Sequence, residues 1–136
     1  MVMKTINSEK YTATITIGLQ NGYTERLWNK SDVIYKLQAI QNQFIELKKI
    51  YLSAVISECD VVLSGQIEPS LKIDIINYPK FSLTQSDFKK YVSELTKRLM
   101  KALCQNRIVI IFNDSIAMLE ENDKIDPRII NPTSRN

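Results

Sequence analysis

The sequence predicts an α+β domain, an antiparallel sheet with two helices on one face. Three observations carry that prediction. Residues 11–20 alternate apolar with polar, residues 33–45 and 88–103 place apolar side chains at helical spacing, and apolar runs of strand length separate and follow those two stripes.

In the first strand Tyr11, Ala13, Ile15, Ile17 and Leu19 point one way and Thr12, Thr14, Thr16, Gly18 and Gln20 the other, as a half-buried strand requires. Ser31-Asp32 reads as a helix start, because either side chain accepts from free backbone N–H groups. Val33, Ile34, Leu37, Ile40, Gln41, Phe44 and Ile45 follow, and Lys48-Lys49 suits the negative end of the helix dipole. Residues 51–64 read as a second strand whose alternation changes phase at 57–60, which suggests a β-bulge. Residues 65–70 read as a turn. Leu71, Ile73 and Ile75 then face one side of a third strand, opposite Lys72, Asp74 and Ile76, and Asn77-Tyr78-Pro79 ends it.

Thr84 and Asp87 resemble a capping box ahead of the stripe Phe88, Tyr91, Val92, Leu95, Leu99, Ala102 and Leu103. Residues 108–112 form a nearly all-apolar fourth strand, expected to be central or covered. After the turn signal Asn113-Asp114, residues 116–119 pair back as a short fifth strand. This order is the ferredoxin-like split βαβ, βαββαβ plus a short fifth strand. Right-handed crossovers then put both helices on one sheet face. Residues 1–120 make a single domain and 121–136 a polar tail. The other sheet face is expected to show three threonines, Gly18, Ile76 and several of Ile108, Ile110 and Phe112. A half-apolar open face of that kind predicts a homo-oligomer.

The composition narrows the chemistry. A chain of 136 residues, 44% hydrophobic and 24% charged, can bury one core without covalent staples. The net charge of +3 admits an anionic partner but falls short of a dedicated nucleic-acid binder, and the basic face of the second helix (Lys89, Lys90, Lys97, Arg98, Lys101) reads first as solvated. The chain has no histidine, the commonest neutral-pH acid/base group and metal ligand. Cys59 and Cys104 match no zinc or CxxC spacing and read as buried free thiols. The acidic run Glu120, Glu121, Asp123 and Asp126 reads as a solubilising tail. Neither a metal nor a cofactor is expected. No secretory signal or membrane-length apolar run is visible, which fits a cytoplasmic protein without membrane contact.

The candidate ligand-facing segment is 18–30, which holds two of the three glycines and the sole tryptophan. In the expected topology it shares one end of the sheet with the 104–107 link. That end gathers Arg26, Lys30 and Arg107 with Tyr23 and Trp28, beside a helix start that offers free N–H groups to an anion. Tyr23 and Trp28 would offer stacking surfaces. The same residues also read as plain structure: a turn at Asn21-Gly22, a tryptophan plug, solvated cations. At the opposite end Asn77, Tyr78, Pro79, Lys80 and Phe81 form an aromatic strand exit that first reads as cover for the second helix.

The strings Ile15-Thr16-Ile17-Gly18-Leu19 and Ile73-Asp74-Ile75-Ile76-Asn77, with the strand order, resemble small phage proteins that sequester host nucleotide signals, the anti-Thoeris sponge family. The resemblance implies an oligomeric, non-catalytic protein that cages a nucleotide-like ligand. The leading expectation is therefore a non-enzymatic oligomer that binds a small anionic, nucleotide-like molecule through Tyr23, Arg26, Trp28, Lys30 and Arg107. A protein-interaction module that uses the open sheet face and the tail is the alternative. A third reading, an enzyme whose substrate supplies the reactivity, is set aside because the chain lacks histidine and an N-terminal proline nucleophile.

Overall fold

The structure, a computed structural model, describes residues 1–22 and 26–123. Five strands form one antiparallel sheet in the order β2-β3-β1-β4-β5: β1 (Thr12–Gly18), β2 (Ala54–Leu63), β3 (Gln66–Ile76), β4 (Arg107–Phe112) and β5 (Ile116–Glu120). Helices α1 (Lys30–Lys48) and α2 (Gln85–Ala102) complete the α+β ferredoxin-like arrangement that the element order predicts.

The core lies between the helices and one face of the sheet. Ile15 and Ile17 of β1, Leu71 and Ile73 of β3 and Ile110 of β4 are fully buried. They meet Val33, Leu37, Ile40 and Phe44 of α1 and Phe88, Val92, Leu95 and Leu99 of α2, spaced three and four apart as a helix stripe requires. Burial of each such side chain contributes about 1.5–3 kcal/mol.

Helix α1 begins earlier than Ser31-Asp32 suggests. Asn29 is its N-cap, and Asn29 and Asp32 exchange side-chain to backbone hydrogen bonds at 2.8 and 3.1 Å. Thr84 caps α2 by accepting from Asp87 N at 3.2 Å. The N-terminal segment is tied down by buried Asn77, which donates to Glu9 O at 3.0 Å and accepts from Leu83 N at 2.8 Å.

Four sequence expectations need correction. No bulge interrupts β2: its register with β3 runs unbroken from Ala54↔Ile75 to Leu63↔Gln66. The alternation changes phase because the covered face changes. Ala54 and Ile56 point toward the helices, whereas beyond Cys59 the apolar Val61 and Leu63 lie on the open face. The turn is the pair Ser64-Gly65 alone, both at positive φ (53° and 75°), as a tight two-residue hairpin demands, so β3 starts at Gln66 and not after residue 70. On β4 the open face carries Val109 and Ile111, while Ile108, Ile110 and Phe112 are buried under the helices. Cys104 is exposed and Cys59 half-buried, so neither is the buried thiol expected.

Among the described residues no helix is long and apolar enough to cross a membrane.

Candidate functional site

Because β2 runs parallel to β1 and β4 antiparallel to it, one end of the sheet collects the exit of β1, the β2–β3 hairpin and the start of β4. The hairpin is longer than its neighbour. The β1–β3 register ends at Gly18↔Ser70, with one further bond from Leu19 N to Pro69 O at 3.0 Å, so residues 61–68 project past the sheet as a two-stranded arm. The arm and the β4 start enclose an open cavity of about 970 Å³.

Small side chains make its floor: Thr16 and Gly18 of β1 and Ser70 of β3. Val61, Leu63 and Glu68 of the arm form one wall, and Arg107 and Val109 of β4 the other. The cavity continues round the end of the sheet to Met100 and Lys101 in the last turn of α2.

Gly18 and Glu68 fit each other closely. A Cβ at Gly18 would collide with Glu68 Oε1 and lie 2.8 Å from its Cδ, so the Glu68 carboxyl occupies the space a side chain on β1 would take. Glu68 stands half-buried over the cavity floor.

The segments 19–22 and 26–29 are pinned to the link after α2. Gln20 bridges Leu27, and Asn21 N donates to Arg26 O at 2.8 Å. Gln105 Nε2 donates to Gln20 O at 2.6 Å, and Trp28 Nε1 to Leu103 O at 2.9 Å. The segments 18–22 and 26–30 and the 104–107 link thus share one rim.

That rim does not aim all the candidate residues at one cavity. Arg107 lines the large cavity, but its Nε donates to Glu120 Oε2 at 2.6 Å and its Nη2 to Asn122 O at 3.5 Å. Lys30 lines a separate depression of about 360 Å³ with Glu58, Asp60 and Pro69. Trp28 is half-buried against the core, its indole N–H spent on Leu103 O and one face under the Lys36 ammonium, 5.2 Å from the ring centroid. Arg26 is exposed and lines neither cavity. Tyr23 lies outside the described residues.

The electrostatics also differ from the anion site expected. The first turn of α1 already has its own carboxylate, Asp32, within the capping box. The large cavity instead holds Glu68 and Glu121 and meets the C-terminal, negative end of α2. With Lys101 and Arg107 also in the lining, and Arg107 paired to Glu120, the cavity offers carboxylates as well as cations, which is not the purely cationic rim expected. Sequence reasoning passed over Glu68 because it read residues 65–70 as a turn. The signal available was Gly18 within a strand, where glycine marks close approach by another group.

In class, then, this is a ferredoxin-like α+β domain with a ligand-sized open cavity at one end of its sheet. No protein-family model matches the chain, and no curated protein matches it by sequence. Two solved structures share its fold. Phage SAM lyase in complex with S-methyl-5'-thioadenosine superposes with a TM-score of 0.69 at 21% identity, covering 92% of this chain and 100% of that one. Phage SAM lyase in its apo state gives the same TM-score and coverage at 20% identity.

These likenesses revise the functional expectation. A small phage protein with a nucleoside-type ligand is indeed what the fold resembles, but it is a lyase and not an anti-Thoeris sponge. The non-enzymatic, sequestering role is overturned, because the proteins that share this fold along their whole length are enzymes. The interaction-module alternative gains nothing from them. Lack of histidine is no obstacle to such chemistry, since a sulfonium is itself a ready leaving group.

Proposed function

We propose that this chain is a phage-type lyase acting on S-adenosylmethionine in the cavity between the β2–β3 arm and β4. The observation that carries the reading is the Glu68 carboxylate set over Gly18 at the floor of that cavity. Its support is the full-length fold likeness to a lyase that holds a methylthioadenosine ligand.

The substrate carries two cationic groups and one carboxylate, and the lining offers both signs, Glu68 and Glu121 with Lys101 and Arg107. Cleavage breaks a C–S bond and leaves its electron pair on sulfur. The sulfonium becomes a neutral thioether, and the departing four-carbon fragment completes its valence by losing a proton or by bonding to its own carboxylate. No water, metal or cofactor is consumed. Because charge disappears at sulfur, the apolar side chains of Val61, Leu63 and Val109 favour the reaction by keeping water from the cation. Glu68 accepts from the cationic amino-acid arm, and Arg107 and Lys101 are the cations of the lining that face the arm's carboxylate on this reading. The reading places the protein in the cytoplasm, where this substrate is found.

The apolar open face supports a homo-oligomer. Val109, Ile111, Ile116 and Met118 expose 37, 48, 72 and 54% of their surface on adjacent strands. A contiguous patch of this kind is the usual mark of a subunit contact.

The test is to incubate purified protein with S-adenosylmethionine and follow methylthioadenosine by liquid chromatography and mass spectrometry. Release above the spontaneous rate, lost in Glu68→Gln while the fold persists by circular dichroism, is the expected result. No release by the wild-type protein overturns the proposal.

A further inference from the structure

We infer that Gly18 is a positioning residue for Glu68: it is glycine so that the carboxylate can lie down over β1 at the cavity floor. The inference rests on the lyase reading for its catalytic consequence and on geometry for the rest.

Glycine is a poor choice inside a strand and needs a reason. Gly22 and Gly65 have one, since both adopt positive φ (65° and 75°). Gly18 is not among the positive-φ residues, so its backbone makes no special demand. What it leaves open is lateral space. The three atoms nearest a Cβ at this position all belong to one group, the Glu68 carboxyl: Oε1 in collision, Cδ at 2.8 Å and Oε2 at 3.5 Å. No backbone atom is among them.

Two consequences follow. An alanine at 18 leaves the β1 ladder intact, because the obstructing atoms are the far end of a flexible side chain. It also forces the carboxyl away from its place over β1. Gly18→Ala is thus a displacement of the Glu68 carboxyl.

The experiment compares wild type, Gly18→Ala, Glu68→Gln and the double variant, with Gly18→Ser as a second probe of the same space. Charge-assisted hydrogen bonds are the strong ones, so Gly18→Ala is expected to lower kcat/KM for S-adenosylmethionine about tenfold or more. The affinity for methylthioadenosine, which carries no charge, is expected to stay within about threefold, since it forgoes that bond. The double variant is expected to be no worse than Glu68→Gln alone. A strand merely weakened by substitution would not spare the neutral ligand or give this non-additivity.

Carbon-13 NMR of glutamate side chains, assigned with Glu68→Gln, gives a readout free of activity. The Glu68 carboxyl resonance should move more than any other glutamate's in Gly18→Ala. An unmoved resonance, unchanged kcat/KM, or multiplicative losses in the double variant overturn the inference. A wild-type protein that releases no methylthioadenosine overturns the lyase reading instead, and the resonance still decides whether Gly18 places Glu68.

Discussion

Replacing Trp28 with phenylalanine should destabilise the protein by about 1–2.5 kcal/mol, and the sum can be built from its contacts. The indole N–H donates to Leu103 O at 2.9 Å in a partly buried setting, and loss of such a bond costs about 0.5–1.5 kcal/mol. The carbonyl is not orphaned, because Gln105 Nε2 also donates to it at 3.1 Å, so the full penalty of a buried unsatisfied group does not apply. The smaller ring gives up at most about 1 kcal/mol of burial, since Trp28 is only half-buried. A weaker cation–π contact with Lys36, now 5.2 Å from the ring centroid, adds a few tenths. For a chain of this size that total lowers the melting temperature by roughly 3–10 °C. Urea unfolding at equilibrium is the assay, read as a lower midpoint at unchanged slope. Gln105→Met combined with Trp28→Phe then removes both side-chain donors from Leu103 O and should cost about 1 kcal/mol more than the two single losses together. A midpoint within error of wild type, or strict additivity in the pair, would refute the argument that this carbonyl fastens the loop to the cavity rim.

Other perturbations test other parts of the molecule. Asn77→Ala strands the Leu83 N–H and removes the side-chain tie to Glu9 O, while the backbone ties of residue 77 to Ser8 and Tyr11 remain, and should cost about 1–3 kcal/mol in the same unfolding assay. The hydrogen bond from Lys48 holds the Glu94 carboxyl below its ordinary range. A lowered folded-state value stabilises above the unfolded carboxylate range and is lost as pH falls through the folded value. The gap between wild type and Lys48→Met, less than about 1 kcal/mol for so exposed a pair, should therefore be present at neutral pH and close in acid. Ile111→Lys, on the open sheet face, should lower the mass measured by light scattering after size exclusion while leaving the melt of the domain nearly unchanged. An unchanged mass that already matches the monomer removes the oligomer proposal.

The fold was legible because its signals are local. Alternation in β1, the stripes of α1 and α2 and the cap at Thr84 are read from neighbours in the chain, and together with chain order they give the sheet. The β4 faces were misassigned for a physical reason. Every residue from Ile108 to Phe112 is apolar, so the run has no period to read, and only packing shows that Val109 and Ile111 face outward. The site was less legible still. Trp28, Arg26 and Lys30 caught the eye as rings and cations, yet their roles depend on partners far away in sequence, such as Leu103, 75 residues on. Glu68 looked like a turn residue, and its importance is visible only once β3 lies beside β1 and Gly18 leaves room for it. On the lyase proposal the chemistry would leave no motif either, because a sulfonium leaving group needs no histidine or metal to expel it.

The projecting arm has a mechanical consequence. Between residues 61 and 68 the backbone ladder joins two strands alone, whereas from Pro69, whose carbonyl accepts from Leu19 N at 3.0 Å, β3 is flanked on both sides. Two-stranded ribbons are marginal in water. Amide protons of the arm should exchange much faster with deuterium than those of 71–76, and the border between fast and slow should fall at Ser70. A jaw that yields on that hinge lets the width of the cleft vary without any strain on the core.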